Sequence, residues 1–380
     1  MKIRMERDLL AESVSWVARS MPGRPSVPVL AGLLVEAADG QVTLSGFDYE
    51  TSHRVTVPAQ VGDGGKCLLP GRLVSDISKS LPSQAVDLSV DGARAQLVCG
   101  TSRFVLQTIP TDDFPVLPVQ PAASGTVRST VFAEAVAQVV TAAGKDDTMP
   151  VFTGVRMEIE GSTISLLATD RYRLAIRELE WEPNSPDISA TALIPARVLA
   201  ETAKSMTGTS IALSLADGEG DGIVGFEGEV SGGLRQTTTR LLDGQFPKVR
   251  SLMPDPAAIA TRVRVETSLL VQAVKRVALV AERNAPVRLT LAEGSLTLDA
   301  GNGEEAQASE SIEAQLTGEP VTVGFNPTYL LDGLSAIGTP VAQLAFTQAT
   351  RPAELTGATD LEAEPRGNFR YVLMPVRLNS

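Results

Sequence analysis

Histidine is almost missing from this chain: His53 is the only one in 380 residues. A Ser-His-Asp site would have to use it, yet no G-x-S-x-G elbow stands anywhere to supply the nucleophile. His53 lies in "FDYETSHRVTV", whose alternation reads as a strand and its histidine as a satisfied or surface residue. Cysteine is nearly as scarce. Cys67 and Cys99 are the only two, and neither C-x-x-C nor H-x-x-x-H spacing occurs, so no metal or cofactor site is expected. So few cysteines in such a length point to a reducing cytoplasm. No run approaches the roughly 20 apolar residues of a membrane span. The opening "MKIRMERDLLAES" lacks the apolar centre of a signal peptide.

Two loop motifs fall short of their chemistry. In "GDGGKC" the first Gly of a phosphate loop would fall on Gln60, and Cys67 replaces the metal-binding hydroxyl. The segment reads as a hairpin turn. "DGEGDG" (217–222) has carboxylates at calcium-loop positions, but position twelve is Gly228, with Glu227 one residue early. A solvated turn is the better reading. No catalytic centre emerges, and an enzyme is not expected.

What is present is a globular composition, with 43% hydrophobic and 21% charged residues, in a length that implies more than one core. Only seven of the 33 basic residues are Lys, the Arg bias of a high-GC bacterial genome. The net charge of −12 argues at first against a nucleic-acid partner.

The organisation is repetitive. "ERDLLAESVSWVARSM" places Leu10, Val14, Val17 and Met21 on one helical stripe; Phe132, Val136, Val139 and Ala143 repeat it, as do Leu270, Val274, Val277 and Ala281. Alternating hairpins follow each stripe. Second helices come next, in "LLPGRLVSDISKSL", "LIPARVLAETAKSM" and "GFNPTYLLDGLSAI", and further strands close each block. Pro- and Ala-rich joints at 118–124 and 253–260 separate the blocks. The expected fold class is α+β: three tandem copies of a unit with two helices on antiparallel sheet, at 1–120, 121–254 and 255–380.

With these blocks aligned, "MKIRMERDLL", "GRPSVPVL", "ATDRYRLAIREL", "DGQFPKV", "FNPTYLLDGL" and "YVLMPVRL" match one family in order and spacing. The chain resembles, over its full length, the bacterial sliding clamp family, the beta subunit of DNA polymerase III, in an actinobacterial-like form. The resemblance implies a head-to-tail homodimer closing a ring around double-stranded DNA. It also implies a non-catalytic, cytoplasmic processivity factor. Its partners would be the polymerase alpha subunit, clamp-loader subunits, and other polymerases and repair proteins carrying clamp-binding peptides. The alternative is a specialised second copy with altered partner or inhibitor binding.

A ring holds DNA by topology, so only its bore must avoid repelling phosphate. Arg72 and Lys79 in the first block align with Arg197 and Lys204 in the second, and Lys145 aligns with Arg283. These are the expected DNA-facing residues, with Arg24 at the ring face by resemblance. Thr328 and Ser335 replace the bases of the third block, so an unevenly charged bore is expected. Contacts of this kind are sequence-independent and salt-sensitive. For the dimer, the resemblance joins the edge strand "SRFVLQT" to the third block of the partner. Phe104, Leu106, Ile77 and Leu81 would pack on Leu279 and Val280, and Arg103 would face Glu304, Glu305 and Glu310. Thr101 and Leu73 stand where better-known members have bases, so fewer interfacial ion pairs are expected.

The family's peptide groove maps onto Phe152, Gly154, Thr169, Arg171, Arg173, Leu174, Pro247 and Leu252. The tail adds Val372, Met374, Pro375, Val376, Arg377 and Leu378, with Asn326, Tyr329 and Pro352 at the rim. Aliphatic and Met walls suit a site that accepts varied ligands. Met149 and Arg171 replace the family's Arg and Gly, and Asn379 and Ser380 extend past its usual terminal Leu.

Overall fold

The structure is a computed structural model and describes residues 1–23, 25, 27–215, 222–230, 232–282, 285–301 and 306–378. Arg24, Arg283, Glu304, Glu305, residues 216–221 (where a solvated turn is expected) and the Asn379–Ser380 extension lie outside the described residues. Contacts divide the chain into two compact units, Met1–Thr130 with Trp181–Asp187 and Glu201–Leu241, and Val131–Glu180 with Ile188–Ala200 and Leu242–Ser380. The division runs through the middle block, which gives one part to each unit.

The helices fall where the stripes and the second-helix segments predict them: α1 Arg7–Val17, α2 Gly71–Ser80, α3 Ser129–Val140, α4 Ala196–Ser205, α5 Thr267–Val277 and α6 Pro327–Ile337. The start of α6 is the most explicit. The Asn326 side chain accepts from the N–H groups of Thr328 and Tyr329, and Pro327 needs no partner for an N–H it lacks. Gly338 ends it at φ 61.

The first unit holds a nine-stranded and a five-stranded antiparallel sheet. Its largest core packs Leu10, Val14 and Val17 of α1 and Val74 and Ile77 of α2 against both, through Leu33, Leu44, Leu88 and Leu97. "GDGGKC" is not a hairpin turn: Gln60–Asp63 pairs with Lys2–Glu6, while Gly65–Pro70 pairs with Gly32–Ala38 in the other sheet. The chain crosses between sheets there. His53 is buried, its ring tilted by 33° against that of Trp16 at 4.6 Å. Cys67 and Cys99 are both free and buried.

The second unit likewise holds nine- and four-stranded sheets. Each nine-stranded sheet is continuous across two blocks. In the first unit Gly233–Arg240 pairs with Thr51–Pro58, with Arg235 opposite Val55. In the second, Phe369–Leu373 pairs with Arg173–Glu180, with Phe369 opposite Arg177. A helix terminus is tied in beside each joint. Trp16 Nε1 donates to Ser205 Oγ at 3.0 Å, and Arg235 donates through Nη1 to the Ser205 carbonyl and through Nη2 to Glu12, both at 2.7 Å. In the second unit Gln138 Nε2 donates to the Ala336 carbonyl at 3.0 Å, and Arg177 faces Glu134 at 4.0 Å. The strands Ser102–Gln107 and Gln307–Glu313 are sheet edges, and among the described residues no third joint of this kind forms within one chain.

Candidate functional site

Asp170 organises the site. Its Oδ1 accepts from the backbone N–H groups of Tyr172 and Arg173, closing a tight turn, and Thr169 Oγ1 donates to the Arg173 carbonyl at 2.7 Å. The turn forces Arg171 to φ 80, a left-handed conformation that costs a residue with a Cβ about 1–2 kcal/mol. Arg171 is exposed, and its guanidinium lies 5.6 Å from the Phe152 ring centre and 5.8 Å from that of Tyr172.

Arg173 points inward and is 6% exposed. It donates to Asp170 at 2.9 Å, to Asp332 and to the Tyr371 hydroxyl, and lies 4.4 Å over the Tyr329 ring. Burial opposes its charge, but Tyr371, Asp332 and Asp170 outweigh that and hold the guanidinium firmly protonated. Burial likewise pushes the Tyr371 hydroxyl above its usual range, and that hydroxyl donates to the Tyr329 carbonyl at 3.0 Å. The cluster locks the turn to α6 and the last strand.

Over it opens a cavity of about 460 Å³. Phe152, Arg171, Arg173 and Tyr329 line it, as expected. Met149, Tyr172, Asp332 and Lys145 line it too. Lys145, expected to face DNA, is exposed at this rim. Tyr172 escapes the sequence reading, although its adjacency to Arg171 and Arg173 in "TDRYR" is a usable signal. It is 53% exposed and stacks on Tyr329.

The other groove residues are distributed differently. Leu174 and Val372 are buried in an apolar cluster with Leu193, Phe246 and Val249, and Gly154 and Thr169 are buried as well. Pro247 and Leu252 are exposed beside them, and Pro352 and Asn326 half-buried. The tail is pinned rather than frayed: the Met374 N–H donates to the Tyr172 carbonyl at 2.9 Å and the Val376 N–H to Gly324 at 2.8 Å. Gly324 leaves room for it, since a Cβ there would meet Leu378 at 2.7 Å. Met374, Pro375 and Val376 are half-buried. Arg377 and Leu378 do not join the first cavity; they line a second, of about 770 Å³, with Pro286, Arg288 and Asp299.

Of the other expected surfaces, Arg72 and Lys79 are exposed seven residues apart on α2, and Arg197 and Lys204 likewise on α4. Ile77, Leu81 and Leu106, expected at the dimer interface, are already buried within one copy. They are core residues of the first unit, at 6%, 4% and 7% exposure, because the inward face of α2 and of the edge strand is needed to close that core. Phe104 is half-buried, while Val105, which the sequence reading passes over, is 57% exposed. Leu279 is 84% exposed and Val280 half-buried. Arg103 donates to Gln96 at 2.7 Å, and Glu310 is held by Arg276.

Known proteins share this fold. Family models of the DNA polymerase III beta subunit match in order: the N-terminal domain over residues 1–118, the central domain over 126–248 and the C-terminal domain over 250–377. The chain is 54% identical to the Beta sliding clamp of Streptomyces coelicolor over all of both chains. It is 42% identical, again over all of both, to the Beta sliding clamp homolog GriR of Streptomyces muensis. Among solved structures, the Bacillus subtilis DNA polymerase sliding clamp superposes with a TM-score of 0.89 at 27% identity, covering both chains completely. The Pseudomonas aeruginosa DnaN sliding clamp bound to griselimycin gives 0.89 at 26%, with the same coverage.

Proposed function

The chain belongs to the DNA polymerase III beta subunit family, the sliding clamps, and on that premise we propose which of its surfaces meet DNA, a second copy and partner peptides. The function is processivity: a non-catalytic ring of three-domain subunits around DNA, serving the replicative polymerase. The specialised-copy alternative is not favoured, since identity to the Streptomyces coelicolor clamp exceeds that to the GriR homolog.

The observation that carries the finer reading is a pair of sheet edges. Domains at 1–120, 121–254 and 255–380 are joined by shared sheets at both internal boundaries. Ser102–Gln107 and Gln307–Glu313 are edge strands of the five- and four-stranded sheets, and in this reading each pairs with a second copy. Phe104, Val105, Leu279 and Val280 are the apolar surface that closure would cover. Arg72, Lys79, Arg197 and Lys204 supply the DNA-facing charge, screened and indifferent to sequence. Partner peptides carrying Gln and then apolar residues dock over Phe152, Tyr172, Arg173, Tyr329 and the tail. The site of action is the cytoplasm.

Loading onto plasmid tests the reading. The loaded protein stays on a circle through gel filtration in high salt and is released when the circle is cut; retention on linear DNA equal to that on circles would overturn encirclement. Changing Lys79, Arg197 and Lys204 to Glu weakens loading without affecting peptide binding. The Met374→Ala/Leu378→Ala variant weakens a clamp-binding peptide by about 1–3 kcal/mol for each side chain fully covered, read by calorimetric titration on folded dimer. Unchanged affinity would place the peptide elsewhere.

A further inference from the structure

The two internal joints are copies of one device, and the third block carries its parts without a counterpart in the same chain. Leu10, Phe132 and Leu270 open equivalent stripes, so Trp16, Gln138 and Arg276, each six residues further on, are equivalent. The second helices align Lys79 with Lys204 and Ser335, making their next residues, Ser80, Ser205 and Ala336, equivalent. At the first joint Trp16 reaches Ser205; at the second Gln138 reaches Ala336. The remaining member of the first series is Arg276 of α5, and the remaining member of the second is Ser80, at the C-terminus of α2.

The strands repeat in step. The hairpin pairs Phe47–Ser52, Thr169–Leu174 and Gly301–Gln307 correspond, and three residues beyond each lie Val55, Arg177 and Glu310. Val55 and Arg177 sit on the joining strands, whereas Glu310 sits on the free edge. Each place also carries one Arg–Glu pair: Arg235 with Glu12, Arg177 with Glu134, and Arg276 with Glu310.

Arg235 shows what such an arginine does when a joint is closed. One nitrogen holds Glu12 across the joint and another donates to the carbonyl of Ser205, the last residue of α4 in its own block. Arg276 stands half-way to that state: its Nε and Nη2 hold Glu310, and its side chain is 58% exposed. Ser80 is exposed at the end of α2.

We propose that, when two copies close the ring, Arg276 keeps Glu310 on one edge and donates through Nη1 to the Ser80 carbonyl of the second copy, capping the C-terminus of its α2. A guanidinium is suited to this place, because the last carbonyls of a helix carry partial negative charge and lack partners within the helix. At the first joint Arg235 caps the Ser205 carbonyl while Trp16 holds the Ser205 hydroxyl, and at the second the neutral Gln138 caps Ala336, so a cation at such a place already has a precedent within the chain. The inference rests on the ring reading and specifies one contact within it.

The test is the dimer dissociation constant, from sedimentation equilibrium of the full chain with variants at position 276. Arg276→Ala is expected to raise it roughly ten- to a hundredfold, the loss of one charge-assisted hydrogen bond. Arg276→Gln is expected to recover most of that, because Gln138 performs the same task at the second joint, whereas Glu310→Gln has a smaller effect than Arg276→Ala. If Arg276 served only its pair with Glu310, the Ala and Gln variants would dissociate alike, and that result overturns the proposal while leaving the dimer intact. A wild-type dimer matched by an equally tight Arg276→Ala dimer overturns it as well. A wild-type chain that stays monomeric at high micromolar concentration would overturn the ring reading itself.

Discussion

The turns at Phe47–Thr51 and Thr169–Arg173 have one backbone and two outcomes. In each, an aspartate Oδ1 accepts from the N–H groups two and three residues on, Asp48 from Glu50 and Thr51, Asp170 from Tyr172 and Arg173. In each, the residue after the aspartate is left-handed, Tyr49 at φ 77 and Arg171 at φ 80. Even the partner strand keeps register, with Thr51 opposite Thr239 and Arg173 opposite Leu373. Yet the first turn borders a space of about 30 Å³ and the second a cavity of about 460 Å³. Hydroxyls make the difference on one side: Thr51 bonds Thr239 at 3.0 Å and Ser52 bonds Thr238 at 2.6 Å, sealing the strands together. On the other side Leu174 and Val372 turn apolar faces inward and Arg173 reaches α6. The two turns share a backbone, and the cavity opens beside the one whose side chains are apolar and cationic instead of hydroxylic.

The comparison breaks most sharply at Arg173. Arg173→Ala leaves the carboxylates of Asp170 and Asp332 and the Tyr371 hydroxyl without their shared donor. A loss of about 3–5 kcal/mol of stability is expected, with peptide binding lost as well. Thr51→Ala at the matching place is expected to cost only about 1 kcal/mol. Chemical denaturation of both variants reads the contrast, and equal losses would mean that the Arg173 cluster has no special weight.

A second test concerns His53, whose place in the second turn's strand is taken by Ala175. Burial first, then Arg19 and Arg235, pushes His53 down to about 4 from its ordinary 6.5. The unfolded chain therefore takes up a proton that the folded chain refuses. Stability is full above pH 6.5 and falls as pH drops towards 4, by about 3 kcal/mol from this one group. Denaturation between pH 4.5 and 7 is expected to show that slope in wild type and a shallower one in His53→Gln. Parallel slopes would show that His53 does not control it.

The smallest effect is expected at Arg171. Arg171→Gly relieves the left-handed strain but gives up the contacts with Phe152 and Tyr172 and frees the unfolded chain, so stability is expected to move by less than about 1 kcal/mol. Tyr49→Gly provides the control without a cavity. A loss well beyond that at Arg171 alone, in a melting experiment, would mean that its ring contacts outweigh the relief of strain.

The surfaces are legible in the sequence to different depths. Helix faces read well, so Arg72, Lys79, Arg197 and Lys204 stand exposed as the stripes require. Ile77, Leu81 and Leu106 are harder to place from sequence, because an apolar residue on an amphipathic element looks the same whether it faces its own core or a partner. The tail reads as one groove wall, whereas hydrogen bonds to Tyr172 and Gly324 send Met374 and Leu378 to different surroundings.

By itself the sequence determined the threefold repeat, the six helices and the alternating strands, since these follow from periodicities of 3.6 and 2 within a few residues. It also carried the aspartate turns, whose hydrogen bonds close over three residues. Only the tertiary structure decided that each large sheet runs through two blocks, that one turn is sealed and its twin open, and that Ser102–Gln107 and Gln307–Glu313 stand at sheet edges. Those outcomes depend on pairing between residues far apart in the chain, Arg235 with Val55 and Phe369 with Arg177, and no local pattern encodes which strand a given edge will meet.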